Sequence, residues 1–380
     1  MGYPVDYPIY DSNILIRVYS VRLGGMYQCH RFKSYDIDLD METDADQFTL
    51  VFENPNSVYT GLFSKFDKIE IYLNDLSHPL MCGRVDKVTY EWDSNGNTIT
   101  VVGRDNAAVL IDNDAKPTTR KQVKPASYIS ERCAAFGLKS SIKCSPETID
   151  ELIVNTGESE WAVMESLLSD ENYKMWFDFD TICVGEWNTN ASPSYNFTRG
   201  VGDTGIPIES LSVVEDGTNV KSQINIYGSI KNGKQAIIGT AKNDKLIAQG
   251  ITKLKTKTLN NTGTASRRTK NALNDVQNSL RDSDEVIITI KTRDNLVKPN
   301  RCAVVVDSVS KINASMYIYK VTYKKSLGSG SITEIHMIPD DATKKIIWNG
   351  QGSKSNSTGG NGSITGTAKL SFKEMIALRK

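Results

Sequence analysis

The chain contains the same β-unit twice, and this internal repeat constrains its fold more than any other feature. The tetrapeptide Lys-Val-Thr-Tyr occupies residues 87–90 and recurs at residues 320–323. About one such match is expected by chance in a chain of this length, so the flanking segments decide the matter. Each unit shows an alternating strand, a loop with Asn and Pro, a second strand, and a hairpin that contains the tetrapeptide. The strands are expected at residues 47–52, 68–73, 85–92 and 98–102 in the first repeat unit and at residues 286–290, 302–306, 318–323 and 331–338 in the second repeat unit. Agreement in order, length and turn position predicts two like β-domains.

Length and charge set the outer limits on function. The chain has 380 residues, which suggests roughly two to four domains. Lys plus Arg and Asp plus Glu both total 45, so net charge gives no sign of nucleic-acid or membrane affinity. The N-terminal residues lack the basic and apolar regions of a signal peptide, and no apolar run is as long as a membrane span. We therefore expect no membrane anchoring and no specific nucleic-acid binding.

The order of patterns along the chain predicts a mainly β fold with α+β insertions. Helical periodicity appears at residues 127–136, at residues 159–173 and at about 264–280, and Ser159 is a good N-cap for the second of these helices. The expected domains are a first β-barrel domain at 1–112, an inserted α/β domain at 113–205, a second β-barrel domain at 206–235 and 285–347, a peripheral strand–helix insertion at 236–284, and a linker with a C-terminal segment at 348–380.

Acidic residues alternate with apolar ones through one early segment. The acidic positions are Asp36, Asp38, Asp40, Glu42, Asp44 and Asp46. A calcium-binding EF-hand loop would need Gly at its sixth position and Glu at its twelfth, but Met41 and Gln47 stand there. The alternation instead predicts a strand with one acidic face. Two interpretations stay open: a solvated face that protects a sheet edge, or an acidic wall that lines a channel through Asp36, Asp38, Asp40 and Glu42.

A second strand carries the opposite charge. Lys253, Lys255 and Lys257 alternate along it. No aromatic residues lie between them as stacking platforms, so single-stranded nucleic acid is a poor candidate ligand. The three lysines are interpreted either as a solvated edge or as a basic patch that contacts an acidic protein partner.

The C-terminal region consists of a polar linker and a short amphipathic segment. Residues 350–366 are rich in Gly, Ser, Asn and Thr, which favours a flexible linker. The apolar residues of the following segment are Leu370, Phe372, Met375 and Ile376. An isolated helix this short is marginal in water, so the segment is expected either to dock on a partner or to fray.

The chain shows none of the common catalytic or metal-binding motifs. No His-Glu-x-x-His, Gly-x-Ser-x-Gly or closely spaced Cys/His set occurs. We therefore expect no catalytic residues, no cofactor and no metal. A carboxylate pair suited to glycoside hydrolysis stays an open alternative, because separation in space is not visible in a sequence.

Four short segments resemble one protein family. They are Val-Val-Gly-Arg-Asp-Asn-Ala at 101–107, Glu-Trp-Ala-Val-Met at 160–164 before Trp176, Asn-Leu-Val-Lys-Pro-Asn-Arg at 295–301, and Gly-Ser-Ile-Thr-Glu-Ile at 330–335. With the order of elements over residues 10–345, they resemble the baseplate hub proteins of contractile phage tails. The late-control-D family and its relatives in PBSX-like prophages and phage-tail-like bacteriocins (tailocins) are the family named by this resemblance.

The resemblance implies a structural role in an assembled particle, either a virion or a tailocin, made in the cytoplasm of a bacterial host. Hub proteins of this family form homotrimers whose tube-like β-barrel domains, two in each chain, make a pseudo-six-fold ring. The ring joins the hexameric tail tube to the trimeric central spike. Further implied partners are the tape measure and baseplate wedge or LysM-type proteins. The alternatives are a tail-tip cell-wall hydrolase with its site in residues 113–205, and a receptor- or carbohydrate-binding tail protein.

Overall fold

The structure is a computed structural model that describes residues 14–340 apart from short gaps. The gaps are residues 30–31, 55–56, 58, 74–76, 94–95, 169–170, 172, 190, 201–204, 228–236, 259–264, 293–295 and 327–329. Strands dominate the described residues, which confirms the predicted mainly β fold with α+β insertions. No helix among the described residues is long and apolar enough to span a membrane.

The elements follow one another in the predicted order. The chain begins with β1 (Ile14–Ser20), β2 (Gly25–Cys29), β3 (Phe32–Asp40), β4 (Gln47–Glu53), β5 (Lys68–Leu73), β6 (Met81–Asp93) and β7 (Gly96–Asp105). The inserted region holds α1 (Ala108–Ile111), β8 (Thr118–Val123), α2 (Pro125–Ala135), β9 (Lys139–Ile142), β10 (Ile149–Val154), α3 (Glu160–Ser166), β11 (Lys174–Asp178) and β12 (Thr181–Gly185). Then come β13 (Tyr195–Arg199), β14 (Ile206–Pro207), β15 (Ser210–Glu215), β16 (Gln223–Tyr227), β17 (Ile237–Lys242), α4 (Asp244–Ala248), β18 (Leu254–Thr258) and α5 (Ala265–Arg281). The last four strands are β19 (Asp284–Lys291), β20 (Arg301–Asp307), β21 (Ile312–Ser326) and β22 (Gly330–Pro339).

One sheet of 14 strands contains both repeat units. Its main path runs β14-β13-β20-β21-β3-β4-β7-β6-β5-β1-β2, and a branch runs from β21 through β22 and β19 to β15. The alternate residues on one face of these strands form a single hydrophobic core that draws on both units. The two β-domains therefore share a sheet and a core.

The strand pairs of the two repeat units are equivalent. β4 pairs with β7, β7 with β6 and β6 with β5, just as β19 pairs with β22, β22 with β21 and β21 with β20. Each long strand also has an irregularity at the same place: the register shifts between Val85 and Lys87 in β6 and between Ile318 and Lys320 in β21. A bulge therefore directly precedes each copy of the tetrapeptide, where it bends the strand.

Side-chain hydrogen bonds repeat as well. The Tyr90 hydroxyl donates to the Phe63 carbonyl oxygen at 2.8 Å, and the Tyr323 hydroxyl donates to the Val297 carbonyl oxygen. Both acceptors lie in the loop that joins the first two strands of their unit. These matched contacts confirm the repeat that the sequence predicts.

The turn before the second strand of each unit is also shared. Phe66 and Asn300 both lie in the left-handed region, with φ of 73° for Phe66 and 58° for Asn300. The backbone N–H of Phe66 donates to the Val85 carbonyl at 2.7 Å, and that of Asn300 donates to the Ile318 carbonyl at 2.9 Å. Asn adopts this backbone region far more readily than Phe does, so the geometry is set by the fold of the unit and not by the residue.

The inserted region forms its own core around α2 and α3. The Ser159 side chain accepts a hydrogen bond from the Ala162 backbone N–H at 3.2 Å, as expected of an N-cap. The helix it caps is shorter than predicted, because α3 ends at Ser166 and the apolar residues Leu167 and Leu168 are buried in the turn that follows.

Two strands have partners outside the groups to which the sequence assigned them. β13 lies in the range assigned to the inserted domain, yet it pairs with β20 in the main sheet. β16 lies in the range assigned to the second β-barrel domain, yet it pairs with β17 and β18 in a separate three-stranded sheet. The physical reason for the second difference is a small core of its own, in which Ile224 and Ile226 pack with Ala272 and Val276 of α5.

Candidate assembly interface

The two repeat units meet where β3 pairs antiparallel with the second half of β21, and we call this pairing the intrachain junction. Its register places Asp40 opposite Lys320, Asp38 opposite Thr322, and Asp36 opposite Lys324. The residues between these pairs point into the core. Those inward residues are Tyr35, Ile37, Leu39, Val321 and Tyr323, and all of them are buried.

The opposite face of the intrachain junction is polar and charge-paired. The Lys320 ammonium lies 3.3 Å from an Asp40 carboxylate oxygen and 3.6 Å from an Asp38 oxygen. The Thr322 hydroxyl donates to Asp38. The predicted acidic face thus exists, but the neighbouring strand supplies a row of cations and hydroxyl groups beside it.

The charge pairing continues onto the next strands. Lys324 lies 2.8 Å from Glu334 on β22. The imidazole of His336 contacts Glu334 at 3.2 Å through Nε2 and Glu285 of β19 at 2.7 Å through Nδ1. Carboxylates remain the majority on this polar face, so its potential is negative despite the lysines.

Ionisation of this face follows from burial and neighbours. Burial, together with the nearby Asp38 charge, raises the pKa of Asp36. For Lys320, burial alone would lower the pKa, but the two aspartates opposite raise it overall. Burial likewise opposes the charge of Glu334, whereas hydrogen bonds from Lys324 and His336 lower its pKa overall.

Glu42 does not share the face on which Asp36, Asp38 and Asp40 lie. β3 ends at Asp40, whose carboxylate accepts a hydrogen bond from the Glu42 backbone N–H at 2.9 Å. The Thr43 hydroxyl donates to the Asp40 carbonyl oxygen at 3.3 Å and completes a turn. Burial and the charge of Asp282 raise the pKa of Glu42, which lies at a different site.

That site is a polar cleft of about 670 Å³ beside the inserted region. Glu42 lines it together with Lys255 and Lys257, so it contains members of both charged sets singled out in the sequence. Trp187 forms part of its wall, stacked on Tyr317 with ring centroids 5.3 Å apart. The sequence gives no signal for this cleft, because its walls come from segments that are distant along the chain.

The predicted basic patch is engaged by its own chain. The Lys253 ammonium donates to the carbonyl oxygens of Gly217 at 2.6 Å and Thr218 at 3.1 Å. Lys257 forms an ion pair with Asp275 of α5. These contacts tie β18 and the segment before it to their neighbours, and Lys255 lies between them on the wall of the cleft.

The predicted docking residues Leu370, Phe372, Met375 and Ile376 lie outside the described residues. The intrachain junction, by contrast, was missed by the sequence analysis. A signal for it was present: the spacing of Asp36, Asp38 and Asp40 matches the two-residue spacing of Lys320, Thr322 and Lys324, as cross-strand charge pairing requires.

Comparison with known proteins identifies the fold. No protein-family model and no curated protein sequence matches the chain. Among solved structures, a tail protein from Neisseria meningitidis is similar with a TM-score of 0.71 and 19% identity, over 86% of this chain and 96% of that one. The 43 kDa tail protein of prophage MuSo2 from Shewanella oneidensis has a TM-score of 0.70 and 16% identity, over 87% of this chain and 99% of that one.

A secretion-system protein shares the fold more distantly. The E. coli c3393 protein, a component of the type VI secretion system with structural similarity to the T4 tail proteins gp27 and gp5, has a TM-score of 0.53 and 9% identity. The match covers 81% of this chain and 73% of that one. The chain therefore has the fold of phage and prophage tail proteins.

Proposed function

We propose that this chain is the baseplate hub of a contractile tail, in a phage or a tailocin, and that its role is structural. In this proposal three chains form a ring in which six like β-domains imitate six-fold symmetry. One side of the ring continues the hexameric tail tube, and the other side holds the trimeric central spike. The fold shared with the Neisseria and Shewanella tail proteins supports a place in a tail.

The observation that carries the ring is the intrachain junction. It joins unlike edges, because β3 precedes the first repeat unit and β21 belongs to the second. Contacts between unlike surfaces generate a closed ring when the rotation between neighbours closes. A chain that already joins two units in this way needs two further chains to present six units to a hexameric tube.

Native mass spectrometry of the purified full-length chain tests the ring. We expect a species of three times the 42.1 kDa chain mass. A chain that stays monomeric at micromolar concentration, both alone and with its tail-tube and spike proteins, would count against the hub.

Within the proposed ring, the polar face that bears Asp36, Asp38 and Asp40 lines the channel. A negative wall would repel DNA or an acidic passenger and keep it mobile. Replacing the three aspartates with Asn keeps their size and removes their charge, and it should slow passage through the channel in assembled particles. Unchanged infection or killing by correctly assembled particles would exclude this role.

The proposed role needs no catalytic site, cofactor or metal, and its further partners are the tape measure and the baseplate wedge or LysM-type proteins. A peptidoglycan zymogram of the full-length chain distinguishes it from a cell-wall hydrolase, and we expect no clearing. Sedimentation with purified host cell walls distinguishes it from a receptor- or carbohydrate-binding tail protein, and we expect the chain to stay in the supernatant.

A further inference from the structure

The geometry points to a specific contact between chains: the outer edge of β6, at residues 87–92, pairs antiparallel with β15 of a second copy of this chain. We infer that the register is the one that joins β21 to β3 within a single chain. This inference rests on the proposed ring and adds to it the strands and the residue pairs of the contact. It follows from the equivalence of the two repeat units.

The first partner edge is the one that differs most between the units. The outer edge of β21 is covered by β3, and there Val321 and Tyr323 have no exposed surface. Within the described residues, β6 beyond Lys87 pairs only with β7. Its Val88 and Tyr90 are half-buried, and Trp92 at the end of the same edge is 60% exposed.

The second partner edge belongs to β15, which is the equivalent of β3. β15 pairs with β19 as β3 pairs with β4, and both strands directly precede their repeat unit or its insertion. Leu211 stands opposite Ile288 where Tyr35 stands opposite Leu50, and Val213 stands opposite Val286. Among the described residues, the other edge of β15 has no strand beside it.

The two edges are chemically complementary in the transferred register. Lys320 opposite Asp40 becomes Lys87 opposite Asp216, again a cation facing a carboxylate. Both residues are exposed in the single chain. Opposite charges that face each other across two strands favour this register over its neighbours.

The apolar residues also correspond. Tyr323 opposite Ile37 becomes Tyr90 opposite Val213, and Lys325 opposite Tyr35 becomes Trp92 opposite Leu211. All four residues of the proposed pairs are only partly buried or exposed in the single chain. Pairing would extend the shared core across the chain boundary, and it would remove two open sheet edges that otherwise invite non-specific association.

The contact is tested by cross-linking on the polar face, where substitution disturbs the core least. The transferred register places Glu91 opposite Ser212, the equivalents of Lys324 and Asp36. Glu91→Cys and Ser212→Cys are made in separate full-length chains, which are oxidised alone and as an equal mixture. We expect a disulfide-linked dimer in the mixture only, and mass spectrometry should identify the peptide in which positions 91 and 212 are joined.

Three controls calibrate the cross-link. Asp36→Cys with Lys324→Cys in one chain should form an intrachain disulfide and shows that the register permits the bond. Thr89→Cys mixed with Ser212→Cys places the thiols diagonally and should react less. The unsubstituted chain, which has six cysteines of its own, gives the background.

A charge-reversal cycle provides a second readout that does not depend on disulfide geometry. Lys87→Asp and Asp216→Lys should each reduce the trimer peak in native mass spectrometry, and the double variant should restore it. Lys33→Asp, on a residue away from both edges, is the matched control and should leave the peak unchanged.

The outcomes separate this contact from the hub proposal. A trimer that forms without the link between positions 91 and 212, and that ignores the charge-reversal cycle, would overturn the register and leave the ring. A disulfide between two chains that both carry Glu91→Cys would show a symmetric edge-to-edge dimer and would also overturn it. If the unsubstituted chain does not trimerise and the mixed variants do not cross-link, with or without the tail partners, the ring itself fails.

Discussion

The two repeat units share a tetrapeptide but not its surroundings. In the second unit β3 covers the edge of β21 and buries Tyr323 completely, whereas the equivalent Tyr90 of the first unit stays half-buried. Both tyrosines nevertheless donate to a carbonyl oxygen in the equivalent loop. Local sequence therefore fixes the hairpin and its hydrogen bonds, and a strand from elsewhere in the chain decides how deeply the same residues are buried.

The cores of the two units solve one packing problem in opposite ways. In the first unit Phe48 stands opposite Gly103, and in the second unit Val286 stands opposite Met337. A large residue faces a small one in the first pair, and two residues of middle size face each other in the second. Because interiors are close-packed, the total volume of such a pair is conserved better than either residue.

The largest difference between the units should appear when the two tyrosines are truncated. Tyr323→Ala removes a fully buried ring, and we expect the free energy of unfolding to fall by about 3 to 5 kcal/mol. Tyr90→Ala should lower it by only about 1 kcal/mol, since part of the ring is already in water. Denaturant unfolding at a concentration where the chain is monomeric measures both.

The matched phenylalanine variants sharpen this test. Tyr323→Phe and Tyr90→Phe remove only the hydroxyl donor, so each should lower the free energy of unfolding by about 1 kcal/mol. If the two alanine variants lost equal stability in the monomer, the first unit would be covered as fully as the second, and the contrast between them would disappear.

A smaller effect is expected at the Phe48–Gly103 pair. A Cβ added at Gly103 would lie 2.4 Å from Phe48 Cζ and 2.1 Å from the Arg84 carbonyl oxygen. Gly103→Ala should therefore lower the free energy of unfolding by about 1 to 3 kcal/mol through overpacking. Thermal or denaturant unfolding of the purified variant measures the loss.

Adding Phe48→Val to Gly103→Ala tests the cause. The smaller residue copies the second unit at this position and should recover part of the lost stability, because it removes the side-chain clash. Full recovery is not expected, since the Arg84 carbonyl belongs to the backbone and stays in place. A double variant that is no more stable than the sum of the two single losses would rule out the side-chain clash.

Much of the fold could be predicted from the sequence, because local patterns determine it. Strict alternation identified the strands of both units, and the Ser159 cap located the start of α3. The acidic alternation shows where such patterns stop being informative. It continues to Asp46, but the strand ends at Asp40 because the next residues form a turn through the Asp40 carboxylate and carbonyl.

Strand partners were the part that the sequence could not supply. β16 was recognised as a strand, yet nothing in the alternation of Ile224 and Ile226 says whether α5 or the main sheet covers them. The intrachain junction joins distant residues, such as Asp38 and Thr322, which are 284 positions apart, so only long-range packing selects it. The functional proposal depends on that junction, and the candidate site was therefore harder to predict than the fold.

The last contrast concerns two buried aspartates, one at the end of a strand in each unit, and it should appear only when pH is varied. Burial raises the pKa of Asp105 to about 7, because the adjacent Arg104 pairs with Asp86 and Asp112 and leaves Asp105 to backbone N–H groups and the nearby Asp46. In the second unit, the Arg199 guanidinium holds the pKa of Asp307 well below its usual range.

The two aspartates should therefore shift stability in opposite directions. Asp105 is ionised in the unfolded chain above about pH 4 but keeps its proton in the folded chain until about pH 7, so its contribution falls as pH rises across that window. Asp105→Asn should flatten this decline, with a gain on the order of 1 kcal/mol at pH 8. Asp307 contributes stability above about pH 4 that is lost as pH falls further, so Asp307→Asn should be destabilising at neutral pH and less so in acid. Denaturant unfolding of both variants at a series of pH values measures the two slopes. Slopes of the same sign would mean that Asp105 has a cationic partner after all, and that the two units treat a buried carboxylate alike.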